Sequence, residues 1–175
     1  MIETECPFCG HSFYIKRDTL IITTMSPLAV ERLLDRTYFS HLCSRCHKLF
    51  YLTYPLMVRN PKKRYSLLLT EQKDVSGFDP EERVVVVKNV PQFYLAFHLL
   101  ENDLNFKIVL NKKKRIEDKY KKMIWFDGYD DKNHCLWFDV DGENKAVLLS
   151  KEEGKNIHIG VMDELHERML EDLYT

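Results

Sequence analysis

The chain has 175 residues, with 26 Lys+Arg against 27 Asp+Glu and 45% hydrophobic residues, 12% of all residues being aromatic. That length suits one domain, or one with a small appendage, and the apolar content excludes wholesale disorder because it can offset the entropy of ordering. No apolar run approaches the roughly 18 residues a membrane helix needs, and the net charge of −1 argues against a polybasic binder of nucleic acid.

In chain order, the first ten residues, MIETECPFCG, carry neither a basic nor an apolar leader region, so no export and a cytoplasmic location are expected. Glu5–Tyr14 reads as a metal knuckle leading into a strand, and the β-branched run Thr19–Thr24 as another strand. Ser26 and Pro27 open a helix as N-cap and first helical position, with Leu28, Val30, Leu33 and Leu34 on its apolar face. Tyr38–Leu42 returns as a strand into a second knuckle, Leu49–Leu52 leads out of it, Tyr54-Pro55 breaks that run, and Tyr65–Thr70 supplies one more strand. Ser76–Glu82 has linker chemistry. The run Arg83–Lys88 reads as a buried strand, and a helix is predicted from Asn89 to Asn102. A second helix is predicted from Asp103 to Lys122, with Leu104, Ile108, Ile116, Tyr120 and Met123 inward. Ile124–Asp127, Cys135–Val140 and Ala146–Ser150 read as strands, the last two joined by the hairpin signal Asp141-Gly142. Val161–Tyr174 closes the chain as an amphipathic helix. The expected fold class is α+β, divided into a metal-binding subdomain over 1–75 and an α+β portion over 76–175, the two packed as one unit.

Charge is uneven along this plan. Residues 1–70 hold 10 Lys+Arg and 5 Asp+Glu, and residues 71–175 hold 16 and 22, so a basic segment precedes an acidic one. Most such asymmetries reflect solvated or mutually complementary faces.

Five cysteines are present, four of them in two C-x-x-C pairs, Cys6/Cys9 and Cys43/Cys46, with 33 residues between the pairs. Two cysteines three apart on a tight turn place both sulfurs about 2.3 Å from one ion, and a second such turn completes a tetrahedron. Pro7 stiffens the first turn and Gly10 allows the positive φ that often follows it. Thiolates select zinc, or less often iron. A redox C-x-x-C needs no matching pair, an iron–sulfur cluster is less suited to the paired geometry, and disulfides do not suit the expected compartment. One structural Zn²⁺ held by Cys6, Cys9, Cys43 and Cys46 is therefore expected, with no position left for a catalytic water. His11, His41 and His47 stand close enough in sequence to replace a thiolate, though four cysteines make that unnecessary; Cys135 reads as an inert bystander.

At these knuckles the sequence resembles the CpXC domain family. The resemblance rests on CPFCG at 6–10, the intervening strand–helix–strand, CSRC at 43–46 and Tyr54-Pro55-Leu56; the strand Arg83–Lys88 and the two following helices look like the family's C-terminal half. It covers most of residues 1–140 and departs at Ser44, where proline is usual, at His47, where glycine is common, and after Pro55, where Leu-Met-Val-Arg-Asn replaces a Tyr-His-Asp ending. It implies a zinc-ribbon-containing fold and the zinc site, and no activity.

Other constellations carry less. The acidic stretch Trp125–Asp131 lacks the register of a calcium loop. Asp127, Asp139, Glu143 and Lys145 faintly resemble the carboxylate-and-lysine set of metal-dependent nucleases, and would have to converge in a cleft. No phosphate loop, nucleophile elbow or H-E-x-x-H occurs, so an enzyme is not expected. The leading expectation is a non-enzymatic protein-interaction or accessory module, its acidic C-terminal half or final helix meeting a protein partner or a second copy of the chain. The alternative is a nucleic-acid-binding accessory using Arg59, Lys62, Lys63 and Arg64 together with Lys112, Lys113, Lys114, Arg115 and the lysines that follow to 122. No membrane association is expected.

Overall fold

The computed structural model describes residues 1–72 and 75–162, and the chain divides into two compact units, Met1–Tyr94 and Leu95–Thr175. It is an α+β protein. The helix expected over Val161–Tyr174 lies, apart from its first two residues, outside the described residues.

In the first unit, β1 (Ile2–Glu5) pairs antiparallel with β2 (Ser12–Ile15), and β4 (Ser40–Leu42) pairs antiparallel with β5 (Leu49–Tyr51). Each is a two-stranded ribbon with a C-x-x-C turn at its tip. A separate four-stranded sheet takes the order β3 (Leu20–Ile22), β6 (Leu56–Asn60), β7 (Tyr65–Leu69), β8 (Arg83–Val87). Its outer pairs, β3 with β6 and β7 with β8, are parallel, and its central pair is antiparallel. Alternation explains its core: Leu56 and Val58 on β6, Leu67 and Leu69 on β7, and Val85 and Val87 on β8 are buried. β6 has no counterpart among the strands expected from the sequence. It is a strand because β3 and β7 satisfy its backbone from both sides.

The helix α1 (Pro27–Leu34) begins at Ser26 and Pro27 as expected, but its face differs from the expected one. Only Leu33 is buried, while Leu28 is 75% exposed. The helix is tied instead by Arg32, whose guanidinium donates to the carbonyls of Thr37 (2.8 Å), Tyr38 (3.2 Å) and Ser40 (3.2 Å). These are carbonyls of the segment entering the second ribbon, and a forked donor serves several at once. That segment is anchored by Tyr38 and Phe39, both buried.

The helix α2 (Val90–Glu101) starts at the expected place: Asn89 Oδ1 accepts from the Gln92 amide at 2.9 Å, and Gln92 Oε1 accepts from the Lys88 amide at 3.0 Å. In the second unit α3 (Phe106–Tyr120) packs on β9 (Ile124–Asp130) and β10 (Cys135–Val140), and β11 (Glu143–Leu148) completes an antiparallel sheet in the order β11-β10-β9. Of the residues expected inward here, Leu104 and Ile116 are buried, and Phe106, Val109 and Leu110 join them. The helix begins at Phe106, capped by Asn105, and Met123, beyond its end at Tyr120, is 63% exposed. Asp141 and Gly142 form the two-residue hairpin turn, both at positive φ (58° and 85°), as such turns require. A short helix, α4 (Lys151–Asn156), was not foreseen. Its first turn is closed by a capping box between Ser150 and Glu153.

Candidate metal centre

The two ribbons repeat one backbone device. In the first knuckle the Cys6 amide donates to His11 O at 3.0 Å and the Gly10 amide to Cys6 O at 2.9 Å; in the second the Cys43 amide donates to Lys48 O at 3.0 Å and the His47 amide to Cys43 O at 3.0 Å. Gly10 and His47 are thus equivalent, at φ of +67° and +56°. The left-handed conformation is free for glycine and strained for histidine, so His47 carries a conformational cost that its partner turn avoids. The variant His47→Gly is accordingly expected to stabilise the metal-loaded protein by about 0.5–1 kcal/mol, read as a rise in urea midpoint at constant slope.

These turns bring all four expected sulfurs together: the Sγ atoms of Cys6, Cys9, Cys43 and Cys46 lie within 4.8 Å of one another. Two approaches cross between the knuckles, Cys6 to Cys46 at 3.6 Å and Cys9 to Cys43 at 3.7 Å. Four thiolates about 2.3 Å from one tetrahedral ion stand about 3.8 Å apart, so the arrangement fits a single ion. It does not fit disulfides, which need sulfurs at about 2.05 Å. Amide groups point at the sulfurs, from Phe8 to Cys6 (3.4 Å) and from Arg45 and Cys46 to Cys43 (3.4 and 3.5 Å). Donation from Cys46 and Arg45 holds the Cys43 thiol down to about 6. At Cys9 the backbone of His11 pulls downward, but desolvation and the three neighbouring sulfurs prevail and push the thiol up to about 11. A dication would stabilise all four as thiolates.

Little else holds the ribbons together. The local core comprises Cys6, Cys43 and Phe50, with Phe13, Cys46 and Leu52 packed against it. The nearby histidines belong to this packing. His11 stacks on Phe13 with ring centroids 5.8 Å apart, and His41 tilts against Phe50 at the same distance. Burial, and then the Arg32 guanidinium, push His41 below the usual imidazole range. Cys135 is buried on β10, in the second unit.

The basic residues considered for nucleic acid are placed otherwise. Arg59 on β6 makes a two-pronged contact with Glu82 (3.1 Å to each oxygen), and Arg64 pairs with Glu81 at 2.6 Å. Lys62 and Lys63 sit in the β6–β7 turn, their amides donating to Asn60 Oδ1. Lys112 is buried and paired with Glu153 at 2.9 Å, and Lys113 pairs with Glu117. Lys114 and Arg115 are exposed on α3. The carboxylate-and-lysine set does not converge on one face. Asp139 lies opposite Asn144, whereas Glu143 and Lys145 lie opposite Val140 and Phe138, so alternation sends Asp139 to the other side of the sheet. Lys145 is occupied by Glu143 at 2.8 Å.

Two opposed C-x-x-C ribbons converging on one four-sulfur centre, within an α+β chain, define a metal-competent four-cysteine ribbon protein. Residues 4–137 match the CpXC protein family, and the chain belongs to it. Neither the curated proteins nor the solved structures include a match.

Proposed function

We propose that the protein is a non-enzymatic, cytoplasmic interaction or accessory module whose N-terminal unit is built around one structural zinc ion. The observation that carries this reading is the four-sulfur cluster. Thiolates favour zinc over hard cations, and four of them fill its tetrahedron, leaving no position for a reacting water. The ion would supply cross-linking of two ribbons whose own core is minimal. The ion pairs of Arg59, Arg64, Lys112 and Lys113 weigh against the nucleic-acid alternative, because each would have to be broken to reach a phosphate. No helix among the described residues is long and apolar enough to cross a membrane.

The test is metal loading of the purified chain. One zinc per chain by elemental analysis, and the visible absorption of a tetrahedral cobalt thiolate on replacement by Co²⁺, are the expected results. A substoichiometric metal content that added zinc does not raise, or the absorption of an iron–sulfur chromophore, would overturn the zinc assignment.

A further inference from the structure

We propose that the outward face of the β4–β5 ribbon is a docking surface for an acidic, amphipathic protein segment; this rests on the interaction reading above and gives it a place. In the ribbon His41 is paired with Phe50, and alternation turns that pair towards the sulfur cluster. The next pair, Leu42 with Leu49, and the preceding one, Ser40 with Tyr51, therefore share the opposite face. Leu42 is 59% exposed, Leu49 51% and Tyr51 71%. Single exposed apolar residues are ordinary, but cross-strand and diagonal neighbours on one ribbon form a contiguous patch.

The chemistry of the rim selects the occupant. The turn joining β4 to β5 carries Arg45, His47 and Lys48, all exposed, and none of them is joined to a carboxylate among the described residues. Lys48 lies over the Phe8 ring, 5.1 Å from its centroid, and Phe8 is itself 56% exposed. Elsewhere Arg59, Arg64, Lys112, Lys122 and Lys145 are each held by an acidic side chain. The sulfur cluster adds negative charge beneath the turn when it holds an ion, but its Cys6 and Cys43 are buried and already receive amide donors. The cationic heads reach solvent, where contacts within a few ångströms outweigh more distant, screened charge. A segment alternating carboxylates with large apolar residues meets both features: its apolar side chains cover Leu42, Leu49 and Tyr51, and its carboxylates meet the rim. Two of the three patch residues are aliphatic and offer no plane on which a base can stack, which favours a peptide over single-stranded nucleic acid.

The experiment titrates the zinc-loaded full chain into a fluorescent peptide alternating Glu with Leu and Phe, its Gln-for-Glu counterpart, and oligothymidylate. The acidic peptide is expected to bind, less tightly as salt rises. The double variant Leu49→Ser/Tyr51→Ser and the charge variant Arg45→Glu/Lys48→Glu are each expected to weaken binding about tenfold or more. The Leu49→Ser/Tyr51→Ser variant should keep its metal content, since both residues are exposed. The charge variant, whose positions adjoin the cysteines, is compared with wild type at equal measured zinc content. Absence of binding, equal affinity for the Gln peptide, tighter binding of the oligonucleotide, or variants that bind like wild type would each overturn the proposal. Parallel capture from the native host separates it from the broader reading. Partners retained by the double variant overturn this surface alone, whereas no partner for the wild-type chain overturns the interaction reading itself.

Discussion

Cys43→Ser is expected to abolish metal retention and to open both ribbons while the β3-β6-β7-β8 sheet persists. Cys43 is 0% exposed, receives amide donors from Arg45 and Cys46, and stands 3.7 Å from Cys9 across the two knuckles. Removing its sulfur leaves three ligands and a buried hydroxyl that is a poor donor to zinc. Structural zinc contributes an apparent ~10–16 kcal/mol in small zinc-dependent domains at neutral pH, far more than the ribbons can recover from Phe50, Phe13 and Leu52. The four-stranded sheet has its own buried residues, among them Val58, Leu67 and Val85 at 0% exposure, and does not depend on the ion for them. Limited proteolysis should therefore cut first within residues 1–15 and 40–51, and chelation of the wild-type chain should reproduce the pattern. Cys135→Ala, in the other unit, should retain full metal. Stoichiometric zinc in Cys43→Ser, or unchanged protection of both ribbons, would show that the sulfur cluster is not what holds them.

The centre was legible because its determinants are local. Cysteines three apart on a turn, with Gly10 behind the first pair, specify their own geometry whatever surrounds them. His47 hides the same device: histidine is not a residue one reads as left-handed, and only the repeat of the backbone bonds shows that it stands where Gly10 does. Strand β6 was illegible for the opposite reason. Its sequence, LMVRN, holds one β-branched residue and follows a proline, and its strand character comes from β3 and β7 on either side. The polar helix α4, KEEGKN, has no apolar stripe, yet its signal was present in Ser150 and Glu153, three residues apart. The stripe expected on α1 missed the role of Arg32, because an arginine that satisfies three carbonyls substitutes for apolar contacts that periodicity would otherwise have to supply. What the sequence could not supply is that Arg59, Arg64 and Lys112 stand beside Glu82, Glu81 and Glu153, which lie 17 to 41 residues away along the chain.

Phe39→Ala should lower stability by about 3–5 kcal/mol in urea denaturation of the metal-loaded chain. Phe39 is 1% exposed and sits among four rings: Tyr38 and Tyr54 with centroids at 5.2 Å, Tyr94 at 5.9 Å and Phe93 at 6.0 Å. Its own backbone is used as well, the amide donating to the Tyr94 hydroxyl at 3.1 Å and the carbonyl accepting from Leu52 at 3.0 Å. These backbone bonds survive truncation, so the loss measures the ring and the cavity it leaves. Phe39→Leu, which refills part of that cavity, should cost about 1–2 kcal/mol, and Tyr51→Ala, 71% exposed, less than about 0.5 kcal/mol. The larger consequence falls on the metal. Phe39 immediately precedes β4 and bonds to the residue after β5, so it fixes both ends of the ribbon whose tip presents Cys43 and Cys46. Loosening that base should weaken zinc retention in competition with a chelator, and excess zinc should restore part of the lost stability, because an ion that binds only the folded ribbon pulls the equilibrium towards it. A Phe39→Ala chain that unfolds more easily yet holds zinc as tightly as wild type would show that the aromatic cluster and the sulfur centre are energetically independent.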